Sequence, residues 1–448
     1  MTNIVFSFDV EDYINPAGAD SVLRYAEILR KENIKGCFNV VGKFALKLKE
    51  WGRQDVIEAL KYHEIETHSL AHSFHPTINE YTDVEDYGAA EAEFFKQEKE
   101  CLDILKETFG IDKVYAACPP GSNTSYVAHY GYAKMGIPIY DGDTLREENR
   151  ARPINACNIW TTDYHYLMGV NLRQSDEEKI REHFDRVART KDLYICYSHP
   201  NMVSFEESWD EVNYWGGNLH EDGWIPSTPR DPKERELIFS RFEFLVRLLK
   251  SDPRFRIVTY SDLAEELNSH KRVITKETLF SLKKQLEEYF FPVTLPDSFC
   301  ICDVFWACRE MLLGKDEHEC GWVQGFLKEP FAINEPVTVT KAQMKEAAKA
   351  LLPGSWLPTS VKVGEKLLGT ADWLRAALAL LCEGGDSVSL TPGAWQIDMD
   401  QFPIVRDRSY KGVWLHWDKL EDNYLSDRLR LQSWTFRLPK GGCRRVFE

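Results

Sequence analysis

Long apolar runs are missing from this 448-residue chain. None approaches the roughly 18–20 residues that cross a bilayer. The longest candidate, around Trp373 to Leu381, is interrupted by Arg375, so no membrane span is expected. The ordered charged, apolar and small-residue regions of a secretory leader are also missing. Met1-Thr2-Asn3 runs straight into Ile4-Val5-Phe6-Ser7-Phe8, which reads as a buried strand. There is no C-x-x-C pair, and eleven cysteines, an odd number, cannot all pair internally. Reduced thiols and a cytoplasmic location are therefore the expectation. Positive charge is scarce: 55 Lys and Arg against 71 Asp and Glu leave a net charge of −16. A duplex reader needs concentrated positive charge, so nucleic acid is excluded as a partner.

What is present is enough apolar surface for real cores, at 43% hydrophobic and 12% aromatic residues. Up to about residue 270, short apolar runs alternate with longer amphipathic ones. Strands are predicted at 4–9, 36–41, 64–67, 114–118, 137–140, 156–160, 193–197 and 256–259. Helices are predicted at 21–31, 55–62, 91–108 and 233–249. This rhythm implies a parallel α/β sheet, doubly wound or closed as a barrel, with its chemistry at the carboxyl ends of the strands. Beyond His270-Lys271-Arg272 the rhythm stops. Residues 271–448 read as a mixed α+β accessory domain, with helices at 278–289, 341–351 and 372–381 and a β-like tail from Ser387 to Leu438. A weak echo between Leu295-Pro296-Asp297-Ser298-Phe299 and Leu357-Pro358-Thr359-Ser360-Val361 is compatible with an internal duplication. Tryptophan is dense in this part, suited to packing or to stacking on sugars.

Four segments at predicted strand ends carry chemistry. Asp9-Val10-Glu11-Asp12 puts three carboxylates in four residues; they repel unless a cation or a shared proton compensates, although a helix N-terminus would also favour them. His68-Ser69-Leu70-Ala71-His72 spaces two imidazoles at i and i+4, able to share a divalent ion if the segment turns helically. Cys118-Pro119-Pro120-Gly121 is a stiff turn that can aim the Gly121 amide into a cleft. Tyr197-Ser198-His199-Pro200 pins an imidazole beyond a strand, placed to act as an acid or base.

In this order the motifs resemble those of the polysaccharide deacetylase family, the NodB-homology or carbohydrate esterase 4 group. The match covers roughly residues 1–265. Asp9-Val10-Glu11-Asp12 is similar to its first motif, His68-Ser69-Leu70-Ala71-His72 to its H-S-x-x-H, Tyr140-Asp141-Gly142-Asp143 to its fourth motif, and Tyr197-Ser198-His199-Pro200 to its fifth. The resemblance implies a distorted (β/α) barrel over residues 1–270 and a divalent metal, with zinc the default and nickel, cobalt or iron also able to fill the site. His68, His72 and an acid of the first motif would hold it, Asp12 being preferred and Glu11 the alternate. Asp9 would be the general base, His199 the general acid, Asp141 a group that orients or charge-tunes His199, and Gly121 an oxyanion donor. One departure stands out: where the third motif opens with an Arg that pairs with the base, this chain has Cys118, or Ala117 on a one-residue shift. Arg173, Arg150 or Arg152 are candidate substitutes.

The implied function is hydrolytic removal of an acyl group, acetyl by default, from an N-acylated sugar or related amide. A C–N hydrolase of non-sugar amides and a non-catalytic carbohydrate-binding barrel are the alternatives. Residues 206–217 follow His199 and are rich in aromatics and acids, with Trp209, Tyr214 or Trp215 as a sugar platform.

Overall fold

The structure is a computed structural model describing residues 1–122, 125–142, 152–214, 221–291, 295–393, 395 and 424–440. It divides into two compact units. Among the described residues, the first comprises those within 1–153 and 159–266 together with 424–425, and the second 154–158, those within 267–395 and 426–440.

Strand β1 (Thr2–Val10) lies near the middle of the first unit's sheet. Its nine residues are almost entirely apolar or small and are buried along nearly the whole length, as a strand covered on both faces of a parallel sheet must be. It is followed by β2 (Cys37–Val40), β3 (Glu64–Thr67), β4 (Ala116–Ala117), β5 (Ile139–Asp141), β6 (Ile154–Ala156), β7 (Ile159–Thr162), β8 (Tyr166–Leu167), β9 (Leu193–Ser198) and β10 (Phe255–Ile257). Strand β6 falls in the second unit. In the first, the order is β7-β5-β4-β3-β2-β1-β9-β8, every pairing parallel. The sheet curls into a half-barrel, a distorted (β/α) barrel. Strand β1 pairs with β2 through Ser7–Val10 and with β10 through Thr2–Ile4.

Helices cover this sheet as the amphipathic spacing predicts. Residues Gly18–Lys31 bury Val22, Tyr25, Ala26 and Leu29. The long helix Tyr87–Phe109 starts where Asp86 accepts from the Ala89 amide and stops at left-handed Gly110. Helices at Gly42–Glu50, Tyr126–Lys134, Met168–Gln174, Glu177–Thr190 and Tyr260–Asn268 went unpredicted. The strand expected at 156–160 is broken by Cys157 and Asn158, both with positive φ.

The second unit is mixed α+β. Helices Lys276–Glu288, Ile301–Leu312, Lys341–Ala350 and Thr370–Cys382 pack with three two-stranded antiparallel ladders. Trp373, fully buried, meets Phe305 at 4.8 Å between ring centroids. Of the β-like tail, residues 394 and 396–423 lie outside the described residues; among the described ones a strand covers Ser387–Leu390, whereas Leu425–Arg430 is helical instead. Among the described residues no helix is long and apolar enough to cross a membrane.

Candidate metal centre and acid–base pair

Strand ends β1, β3, β4, β5, β7 and β9 deliver their next residues to the same edge of the parallel sheet, the edge where such folds place chemistry. Glu11 follows β1, and His68 follows β3 directly. Glu11 Oε2 lies 2.9 Å from His72 Nε2 and 3.5 Å from His68 Nε2. Among the described residues this trio is the one group of acidic, imidazole and thiol side chains whose ligand atoms all lie within 4.8 Å of one another.

Both imidazoles are set to offer Nε2. His68 Nδ1 is hydrogen-bonded to the Cys118 carbonyl, which fixes the proton on Nδ1. His72 Nδ1 bonds Ser73 Oγ at 2.9 Å, and that hydroxyl donates to Asp210 Oδ2 at 2.9 Å. Asp210 is itself buried and also lies 3.5 Å from His72 Nδ1. Outer partners of this kind fix the tautomer and aim of metal-binding imidazoles. His68 Nε2 is buried with no hydrogen-bond partner, which is costly unless something else uses its lone pair. Two imidazole nitrogens, one of them the orphaned His68 Nε2, and one carboxylate oxygen are a donor set that fits a divalent ion.

The electrostatics agree. Burial alone would push Glu11 up, but the charges of His72 and His199 and the close contact with His72 hold it well below the usual carboxylate range. Burial pulls His72 down, yet Glu11 and Asp210 outweigh it and lift the imidazole to about 9. The pair therefore exists as carboxylate and imidazolium when no ion competes for the same atoms.

Two expectations are corrected. The imidazoles are not presented by a helix: residues 68–76 form turns and bends, with Ser69 (φ 65°) and His72 (φ 58°) left-handed. Such backbone is costly for non-glycine residues and is held here by its surroundings. Asp12, preferred as the ligand, lies outside the trio. Its Oδ1 accepts from the amides of Ile14 (3.0 Å) and Asn15 (2.9 Å), and both oxygens accept from Asn15 Nδ2. Asp12 thus closes a turn, and burial pushes it up to about 7 against these donors.

Beside the trio, Asp9 Oδ2 stands 3.4 Å from His199 Nε2. Asp9 is buried, whereas the His199 side chain is 25% exposed and forms the open side of the pair. Asn39 Nδ2 donates to Asp9 Oδ1 at 2.7 Å, and the Tyr164 hydroxyl lies 3.5 Å from the same oxygen. Asn39 stands directly opposite Asp9 in the β1–β2 register. Neither Asn39 nor Tyr164 is singled out by the motifs, nor are Ser73 and Asp210. Only the register of β2 against β1 could have pointed to Asn39.

Asp141 does not reach His199. It accepts from Thr162 Oγ1 at 2.6 Å and from the Tyr260 hydroxyl, while His199 Nδ1 is buried without a hydrogen-bond partner. Cys118, in the place of the expected Arg, is fully buried; burial, Asp141 and Asp9 push its thiol well up, so it stays protonated. Of the candidate substitutes, Arg173 is exposed on Met168–Gln174, Arg152 pairs with Asp192 at 2.9 Å, and Arg150 lies outside the described residues. Gly121 has φ 51° and ψ 44°, a left-handed turn that suits glycine after two prolines. Trp209 is no open platform: it is fully buried, 5.4 Å from the His72 ring and 4.6 Å from that of Tyr13. Trp215, Asp143 and the Tyr214 side chain lie outside what is described.

No family model matches the chain, and no curated protein matches it. Solved structures that it is similar to include a protein from Mycobacterium smegmatis assigned as a polysaccharide deacetylase. The identity is 14% and the TM-score 0.39, covering 60% of this chain and 90% of that one. A PuuE allantoinase gives 12% and 0.38, covering 59% and 89%. A carbohydrate esterase 4 pseudoenzyme from Bacillus anthracis gives 12% and 0.34, covering 59% and 65%. These likenesses concern the fold and assign no chemistry to this chain.

Proposed function

We propose that the first unit is a metal-dependent hydrolase of C–N bonds that removes an acyl group, acetyl by default, from an N-acylated sugar or related amide. One observation carries the reading: Glu11, His68 and His72 converge with both Nδ1 atoms engaged elsewhere, directly beside the Asp9–His199 pair. Motif order and the resemblance it supports supply the substrate class.

Glu11 Oε2 and the Nε2 atoms of His68 and His72 would hold the ion. When bound, it would polarise the scissile carbonyl and ease deprotonation of water. Asp9 accepts the proton of the attacking water as its oxygen adds to the carbonyl carbon. His199, open to solvent on one side, donates a proton to the nitrogen as the C–N bond breaks, giving carboxylate and amine. Asn39 keeps Asp9 aimed while this happens.

The test combines elemental analysis with acetate release from a panel of N-acetyl sugars and non-sugar amides, for the wild type and His72→Ala. Stoichiometric metal and turnover in the wild type, both lost in the variant, are expected. Metal loss without any change in turnover would overturn the mechanism. Turnover confined to non-sugar amides would reassign the substrate and leave the chemistry standing.

A further inference from the structure

Asp9 and Asp141 are two buried carboxylates, and no Arg or Lys among the described residues pairs with either. What joins them is a run of neutral donors. Asn39 Nδ2 donates to Asp9 Oδ1 at 2.7 Å and to Ser7 Oγ at 2.8 Å. The Tyr260 hydroxyl lies 3.1 Å from the same Ser7 Oγ and also bonds Asp141 Oδ2, while Thr162 closes the far end on Asp141 Oδ1. Every member of this run is fully or almost fully buried.

We propose that this Asn39–Ser7–Tyr260 chain takes the place of the guanidinium missing at Cys118, and that it makes Asp141 a positioning residue for Asp9 rather than for His199. The inference rests on the reading of Asp9 as the base. Three observations support it. Asn39 is the closest donor to Asp9 and sits opposite it in the sheet, so its aim is set by strand register. Asp9 has His199 beside it, whereas Asp141 meets only the Thr162 and Tyr260 hydroxyls, and burial pushes Asp141 up to about 7 even with these two donors on it. A neutral Asp141 needs no guanidinium. Finally, His199 Nδ1 has no partner at all, so Asp141 does not orient the imidazole.

The test uses the full-length, metal-loaded protein. Asn39→Leu is close in size and removes the donor; kcat is expected to fall at least about 10-fold, with KM and metal content near wild type, since only proton transfer is disturbed. Asp141→Leu, which removes the acceptor that anchors Tyr260 and Thr162, is expected to lower kcat at least about 10-fold with KM and metal content near wild type, and Asp141→Asn, which keeps one acceptor oxygen, to recover most of that loss. Turnover of Asn39→Leu and of Asp141→Leu within about threefold of wild type would overturn the proposal. Because Asn39→Leu could fail to fold, Tyr260→Phe breaks the chain at its middle without changing the ring.

A second readout does not need turnover. In side-chain amide spectra, the Asn39 resonance is expected to move in Tyr260→Phe and in Asp141→Asn, while the His199 ring resonances stay in place. An Asn39 signal indifferent to both changes, or His199 signals displaced by Asp141→Asn, would sink the chain. If no amide is turned over by the wild type but the Asn39 signal moves, the chain stands and the hydrolase reading fails.

Discussion

Oε2 of Glu11 lies 2.9 Å from Nε2 of His72, while Asp12, the next residue along, turns away to cap its own loop. The two adjacent carboxylates are therefore separable by mutation. Glu11→Ala and His72→Ala should abolish stoichiometric binding of a divalent metal, and Asp210→Asn should weaken it by about 10- to 100-fold through loss of aim. Asp12→Ala should keep the metal but unfold more easily, its turn having lost an acceptor for four contacts. Metal content after dialysis, with thermal melts, separates these outcomes; an Asp12→Ala protein that melts normally but binds no metal would reverse the assignment.

The same pair makes metal uptake a proton-releasing event. His72 is lifted to about 9 in the metal-free protein, so at pH 7 it carries a proton that a metal must displace. Titration calorimetry in buffers of different ionisation enthalpy should report release of about one proton per ion at pH 7. Affinity should weaken as the pH is lowered. An observed enthalpy independent of the buffer would contradict the ion pair.

Glu98 offers a pH test away from the site. It is buried, with the Tyr132 hydroxyl 2.8 Å away, and burial pushes it up to about 7 despite its donors. A carboxyl group with a raised folded-state value binds its proton more tightly when folded than when unfolded. Its contribution is therefore fully present at low pH and is lost as pH rises through about 7. Between pH 5 and 8, Glu98→Gln should lose less stability than wild type, by about 2–3 kcal/mol. Urea midpoints at several pH values check this; parallel curves would show that Glu98 does not titrate in that window.

Cys118 should be inert. Its thiol is buried and pushed up, so iodoacetamide at pH 8 should leave it unmodified in the folded protein, as peptide mapping can verify. Cys118→Ser should retain turnover within about threefold. Loss of turnover on alkylation of Cys118 alone would reopen a nucleophilic role.

Much of the barrel was legible because many of its strands are short apolar runs bounded by polar turns; the strand expected at 193–197 is found at Leu193–Ser198. Helix Tyr126–Lys134 escaped because seven of its nine residues are buried and it has little amphipathic contrast. His68, His72, Asp9 and His199 could be picked out because their residue types carry chemistry on their own. The choice between Glu11 and Asp12 could not be made, since it depends on which carboxylate meets the local backbone donors of Ile14 and Asn15. Asn39, Ser7 and Tyr260 are ordinary residues in sequence and gain meaning only from register.

Val10 sits between Asp9 and Glu11, buried in the hydrophobic core at 1% exposure. In extended chain, residues two apart point to the same side. Drift at this point is consequently quantised: the Val10 side chain could be exchanged for another of similar bulk, but not the number of residues. Deleting one should turn the Asp9 and Glu11 side chains to opposite faces and separate the two carboxylates in a single step.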